Sequence, residues 1–322
     1  MIETADYYIY EDSFIFKPDF NGFVNDYINI ISNYKKLFFS NYNEPQLCVK
    51  ANNNYHYKYK SSSFNKSLSN SLNNQIQLQQ ITFGYNFNQP LGDSLNNQIQ
   101  LQQLTFGHNF DQPLYNSLNN LIQLQQLTFG CYFNQPLGNS LNNLTQLQQL
   151  TFGYCFNQPL YNSLNNLTQL QQLTFGSRFN QPLGDSLINQ IQLQQLNFGY
   201  YFNKQLDNSL NNLRNLEQLT VDYNFNLQIE IPTNIKILKL NSNNINLIDN
   251  LPNSIEELYL LEYFDLELNN LPNSIKIISF DKDSEYNKEL NNLPLSIEKI
   301  YLPINYKKKI NNINSKYLIV YN

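Results

Sequence analysis

Phe133–Gly153 reads FNQPLGNSLNNLTQLQQLTFG, and Phe156–Gly176 repeats it as FNQPLYNSLNNLTQLQQLTFG with a single letter changed. Only Tyr154 and Cys155 separate the copies. The Phe-Asn pair returns at Phe64, Phe87, Phe133, Phe156, Phe179, Phe202 and Phe225, and Phe110-Asp111 fills the gap, so the period is 23 residues throughout. A fixed period of this size means that each copy is one structural unit stacked on the next, because a lone unit cannot bury its own apolar face.

Within a unit, Leu147, Leu150, Phe152, Phe156, Leu160, Leu164 and Leu167 keep constant offsets and are the expected interior. In LQQLTF, Leu150 and Phe152 flank Thr151, the alternation of a short strand with one buried face. Strands joined by long returns run the same way and form a parallel sheet. Pro159 opens the return by fixing its own backbone and disfavouring helix before it. SLNNL then supplies a turn or a single helical coil. The fold class is therefore α/β, strand-rich: a solenoid with one parallel sheet and short returns.

Apolar residues make up 41% of the 322, with 24 Tyr and 22 Phe, enough to build a core and to exclude general disorder. The net charge of -5 is diffuse, and the run Lys307, Lys308, Lys309 stands alone, so neither nucleic acid nor membrane is an expected partner. The opening MIETADYYIYEDSFIF has acidic residues where a secretory signal needs basic ones, and no apolar run reaches spanning length. The expectation is an intracellular, cytoplasmic protein. Cys48, Cys131 and Cys155 form no CxxC pair and are expected as reduced thiols. Asn143-Leu-Thr145 and Asn166-Leu-Thr168 match the glycosylation pattern as by-products of the repeat. With His56 and His108 as the only histidines and no GxSxG, HExxH or GxGxxG, the chain reads as a non-enzyme with no cofactor and no metal.

LQQLTFGYCFNQPLYNSLNNLTQLQQL resembles a leucine-rich repeat: an LxxLxL strand, an Asn after it and a Pro-Leu start to the return. More narrowly, FNQPL at fixed spacing is similar to the FNIP repeat of social amoebae and of giant DNA viruses that infect amoebae, with Leu137 and Leu160 in place of the Ile. That resemblance implies a curved horseshoe and an Asn ladder through Asn65, Asn88, Asn134, Asn157, Asn180, Asn203 and Asn226. Asp111, a pure acceptor when ionised, is expected to interrupt it. Three regions follow: an N-terminal cap over 1–63, regular repeats over 64–226, and irregular leucine-rich repeats over 227–322. The last keep the strand pattern as Ile235-xx-Leu238-x-Leu240, Ile255-xx-Leu258-x-Leu260, Ile275-xx-Ile278-x-Phe280 and Ile297-xx-Ile300-x-Leu302, with KYLIVY as a closing strand. In the cap, FVNDYINIISNYKKLFF reads as a short helix and Tyr55–Tyr59 as a strand.

The Phe columns are core, and the Gly column from Gly84 to Gly199 marks a bend with an open dihedral or a close neighbour. The pair between Gly and Phe is what varies: Tyr85-Asn86, His108-Asn109, Cys131-Tyr132, Tyr154-Cys155, Ser177-Arg178, Tyr200-Tyr201, Tyr223-Asn224. No interior slot that Cys155 would fill fits Arg178 or Tyr201, so at least part of the column faces solvent, at the rim of a concave sheet face beside Gln103, Gln126, Gln149, Thr105, Thr128 and Thr151. Tyr85, His108, Tyr132, Tyr154, Arg178, Tyr200, Tyr201 and Tyr223 are the candidate binding residues, of types favoured at interface hot spots. Neutral drift produces the same letters. The functional expectation is a protein–protein interaction scaffold. The alternative is a substrate-recognition subunit that recruits host ubiquitin-ligase components through a degenerate F-box in residues 1–63, although the Leu-Pro opening of that module is missing.

Overall fold

The computed structural model describes residues 1–44, 46–47, 60–206, 208–310 and 318–321. They form two compact units, Met1–Leu170 and Gln171–Asn322. Cys48, Tyr55–Tyr59 and their expected strand lie outside the described residues.

Unit 1 holds β1 (Ile2–Glu3), β2 (Tyr7–Tyr10), β3 (Ser13–Phe16), β4 (Lys36–Phe39), β5 (Gln80–Thr82), β6 (Gln103–Thr105), β7 (Gln126–Thr128) and β8 (Gln149–Thr151). From β3 to β8 every neighbouring pair is parallel, with Gln80, Gln103, Gln126 and Gln149 in register. Each three-residue strand buries its central Ile or Leu and leaves the flanking Gln and Thr half-buried on the other face. The return is a chain of turns rather than a helix: Ser140, Asn142, Leu144 and Leu147 each donate their N–H three residues back. Leu147, Leu150, Phe152, Phe156, Leu160, Leu164 and Leu167 are all at most 2% exposed, so the expected interior is the observed one.

Phenylalanines form the spine. Phe83, Phe106, Phe129 and Phe152 stack coil to coil at 5.5–5.6 Å, and each also stacks on the Phe four residues on, Phe129 on Phe133 at 4.0 Å. Offset stacking of this kind contributes about 0.5–1.5 kcal/mol per pair beyond burial. The Gly column reflects a close approach, since a Cβ on Gly130 would lie 1.7 Å from the Gly107 carbonyl oxygen.

The Asn ladder exists, and it works through the side-chain oxygen. Asn65 Oδ1 accepts the N–H of Asn88, Asn88 Oδ1 that of Asp111, and Asn134 Oδ1 that of Asn157, all at 2.8–2.9 Å. Asp111 Oδ1 accepts the Asn134 N–H at 2.9 Å, so Asp111 continues the ladder that it was expected to interrupt. The reason is that the column needs an acceptor, which a carboxylate supplies as well as an amide. A second ladder, in which the Asn side chain donates instead of accepting, runs along the return, where the amides of Asn97, Asn120, Asn143 and Asn166 donate to the preceding coil's carbonyls at 2.8–3.0 Å. The amide nitrogens of both glycosylation-like sites are thus engaged in coil stacking.

The parallel sheet begins inside residues 1–63. Phe16 and Phe20-Asn21 match Phe83 and Phe87-Asn88: Phe16 stacks on Phe39 at 5.1 Å, Phe20 on Phe64 at 5.8 Å, and Asn21 Oδ1 accepts the Asn65 N–H. β1, β2 and β3 form an antiparallel meander, the second turn made by Glu11-Asp12 with Glu11 at φ 54°. The helix expected within FVNDYINIISNYKKLFF is observed as a 3₁₀ turn, Val24–Tyr27, followed by α1, Ile28–Ile31.

Unit 2 contains β9 (Gln172–Thr174), β10 (Gln195–Asn197), β11 (Gln218–Val221), β12 (Ile237–Leu240), β13 (Glu257–Leu260), β14 (Ile277–Phe280), β15 (Lys299–Leu302) and β16 (Leu318–Tyr321), all parallel, with α2 at Ile245–Asp249. The irregular repeats keep their strands because Leu238, Leu240, Leu258, Leu260, Ile278 and Ile300 are fully buried. In each, a Pro carbonyl accepts the N–H of the Ile three residues on, as Pro252 does for Ile255. Of the expected KYLIVY strand, Leu318–Tyr321 is observed as β16, and the two residues before it lie outside the described residues.

Candidate interaction surface

The variable pair leaves each strand at its C-terminal end. Its backbone is bonded from coil to coil whatever its letters: Asn109 N–H to Tyr85 O, Tyr132 N–H to His108 O, Cys155 N–H to Cys131 O, Tyr201 N–H to Ser177 O, at 2.8–2.9 Å. Position is therefore set by the main chain and identity is left to the side chain. Cys131 and Cys155 remain thiols.

In unit 1, Tyr85 and His108 are half-buried and stack face to face at 4.3 Å, and Tyr132, 51% exposed, meets His108 edge-on at 4.8 Å. Three coils thus present one aromatic row. Beneath it a polar chain orients the ring: Asn109 Nδ2 donates to Asn86 Oδ1 at 2.9 Å, which leaves Asn109 Oδ1 to accept from His108 Nδ1–H at 2.9 Å. Tyr154 lies further along the same edge and is 42% exposed.

In unit 2, Arg178 is exposed on the first coil. Tyr200 stacks on Tyr223 at 5.1 Å and Tyr201 turns edge-on to Tyr200 at 4.9 Å. Tyr263 joins them, 5.3 Å from Tyr223 and 6.4 Å from Tyr200. The Tyr263 pKa is raised first by the charge of Glu262, and the Tyr200 pKa is raised first by burial and then by its tyrosine neighbours. Tyr263 was not among the sequence candidates. Its signal was legible: Leu258-x-Leu260-Leu261-Glu262-Tyr263-Phe264-Asp265 aligns with Leu150-x-Phe152-Gly153-Tyr154-Cys155-Phe156-Asn157, so Glu262-Tyr263 is the variable pair of its coil.

A second feature missed in the sequence is an insertion at this same edge. Phe83 and Phe87 are separated by three residues, whereas their structural counterparts Phe39 and Phe64 are separated by 24. The chain thus departs after Phe39 and returns through residues 60–63 where other coils carry only the Gly and the pair. The insertion is closed at its base by Asn41 Oδ1, which accepts the N–H groups of Ser62 (3.0 Å) and Tyr85 (2.9 Å).

The sheet's outward face changes character along the chain. Half-buried Gln and Thr columns in unit 1 give way in unit 2 to Lys239, Glu257, Tyr259, Lys299 and Tyr301, with Lys239 Nζ 5.3 Å over the Tyr259 ring. Among the described residues no group of three or more His, Cys, Asp or Glu is placed to hold a metal ion, and no helix is long and apolar enough to cross a membrane.

Strand order, parallel register and turn-built returns define a strand-rich solenoid of the leucine-rich-repeat kind. No family model and no curated protein matches the chain. Solved structures do. CroV588, a circular leucine-rich-repeat protein from a giant virus, is 25% identical over 98% of this chain with a TM-score of 0.65. The internalin InlF of Listeria monocytogenes is 16% identical over 80% of this chain and 77% of its own, TM-score 0.54. The Toll–Spatzle complex of Drosophila matches at 12% identity over 89% of this chain and 40% of the other, TM-score 0.54. The chain spans about half the length of CroV588, 51% of it.

Proposed function

We propose that this chain is a non-catalytic protein-interaction scaffold that binds through the variable pairs at the C-terminal ends of its strands: Tyr85, His108, Tyr132 and Tyr154 in unit 1, and Arg178, Tyr200, Tyr201 and Tyr223 in unit 2. The observation that carries this reading is the separation of roles in that column. Coil-to-coil backbone hydrogen bonds hold every pair in place, while Tyr132, Tyr154, Tyr201 and Tyr223 are each 41–51% exposed. Large aromatic side chains on a fixed backbone lose little entropy on binding and are the usual anchors of protein interfaces. The Toll–Spatzle neighbour supplies a precedent for a protein ligand on a solenoid of this class.

The finer reading, FNIP repeats presenting a partner to a host ubiquitin ligase, rests on the sequence resemblance. Crosslinking capture from amoebal lysate tests both levels. Tyr85, His108, Tyr132 and Tyr154 changed together to Ala should lose partners that a Tyr115→Ala, Tyr161→Ala control on the returns retains. Identical partner lists would overturn the surface assignment. Ubiquitin-ligase subunits recovered only when residues 1–63 are present would favour the F-box reading.

A further inference from the structure

We propose that the tyrosine cluster of unit 2 binds the lysine and arginine side chains of a basic peptide segment of a protein partner. This rests on the scaffold reading above and names the partner chemistry for one part of that surface. Tyr200 lies 4.9 Å from Tyr201, 5.1 Å from Tyr223 and 6.4 Å from Tyr263, with Tyr223 5.3 Å from Tyr263, and Tyr201, Tyr223 and Tyr263 are 41–47% exposed. Such rings offer π faces to a cation.

The surroundings supply the matching charge. Asp222 Oδ1 accepts the Tyr223 N–H and the Asn241 amide, both at 2.7 Å, which pins its carboxylate beside the rings. Glu262, Tyr263, Phe264, Asp265, Asp283 and Glu285 line an adjoining cavity of about 360 Å³. Of its four carboxylates, Asp265 and Asp283 have lysine neighbours, Lys288 at 3.3 Å and Lys282 at 3.7 Å. The raised pKa of Tyr263, caused first by the charge of Glu262, reports the same negative field.

Elsewhere the molecule completes such groupings itself. Lys17 lies 4.6 Å over the Tyr8 ring while paired to Glu3 at 2.7 Å, and Lys239 lies over Tyr259, whose hydroxyl donates to Glu257 at 2.8 Å. Among the described residues, no lysine or arginine covers the rings of Tyr200, Tyr201, Tyr223 or Tyr263. The cation that would complete this cluster comes from the partner. A phosphate backbone is disfavoured by the same carboxylates.

The test titrates the full chain with a Gly/Ser-spaced peptide carrying two lysines and two arginines, by calorimetry and by tyrosine emission, which is unobscured because the chain has no Trp. The expected result is saturable binding, weakened about ten-fold by Tyr263→Ala and by Glu262→Gln, retained by Tyr263→Phe, and screened by salt. The same peptide with acetyl-lysine and citrulline should bind at least about ten-fold more weakly. Absence of saturable binding, equal binding of the neutral peptide, wild-type affinity in both Tyr263→Ala and Glu262→Gln, or tighter binding of oligo(dT) would each overturn the proposal. Circular dichroism confirms that the variants fold. If the basic peptide fails while partner crosslinking still depends on Tyr85, His108 and Tyr132, the cation assignment falls and the scaffold reading stands.

Discussion

Replacing Asn134 tests the ladder most directly. Its Oδ1 accepts the Asn157 N–H at 2.8 Å and the Gln158 amide at 3.2 Å, and Gln158 also reaches the Asn134 carbonyl at 3.0 Å. Asn134→Ala therefore removes the acceptor of a half-buried main-chain N–H while Gln158 keeps an alternative. Depriving one such donor costs about 1–2 kcal/mol, the lower part of the range for an unsatisfied buried group. Asn134→Asp keeps the acceptor, as Asp111 does one coil earlier, where it accepts from Asn134 N–H and Gln135 Nε2, both at 2.9 Å. Because a long repeat array need not melt in one step, the assay is local: hydrogen exchange at the Asn157 amide. Protection should fall about 5–30-fold in the Ala variant. It should change less than about two-fold in the Asp variant, whose bond is retained. Equal loss in both variants would refute the argument that the column works through its oxygen, and no loss in the Ala variant would remove the ladder from the stability account.

Gly130→Ala puts a methyl 1.7 Å from the Gly107 carbonyl, so the coils must part and the thermal midpoint should fall by several degrees; an unchanged midpoint would show that the coils yield freely. Tyr161 sits at φ +46° where Gly138 and Gly184 occupy the matching turns at about +50°, so Tyr161→Gly should stabilise by about 0.5–1 kcal/mol in urea, the relief of left-handed strain less the entropy of glycine. Tyr286 is 3% exposed, and its hydroxyl has no hydrogen-bond partner among the described residues, so Tyr286→Phe should raise stability by about 1 kcal/mol in the same assay, and a loss would mean that the hydroxyl is satisfied. The Lys276–Glu256 pair at 2.6 Å lowers the Glu256 pKa and raises that of Lys276, each chiefly through their shared hydrogen bond. Its contribution is present above the ordinary carboxylate pKa, is lost as pH falls through the lowered Glu256 value, and is lost again as pH rises through the raised Lys276 value. Both groups are exposed, so the difference between wild type and Lys276→Gln should be small and should vanish in 1 M salt.

Much of this was legible in the letters because the repeat is exact. Leu150, Phe152, Phe156 and Leu164 announce their burial by recurring every 23 residues, and the drifting pair between Gly and Phe announces its exposure by not recurring. Where spacing breaks, reading by period fails. The coil formed by Phe16, Phe20 and Asn21 escaped notice because residues 40–63 intervene before its successor is complete, and Tyr263 escaped because its coil is shorter than 23 residues. Asp111 was misjudged for a different reason: the letter changes, but the one atom the ladder uses does not.

The sequence by itself determined that equivalent coils stack, which side chains share the dry interior, and that one column is released from packing, because periodic burial is a one-dimensional pattern. Only the tertiary structure decided which atom of Asn bears the ladder, that the glycines are there for carbonyl approach, and that Tyr200, Tyr223 and Tyr263 meet in one acidic setting. Those depend on distances between neighbouring coils of unequal length, and unequal lengths erase the register from which a linear pattern is read.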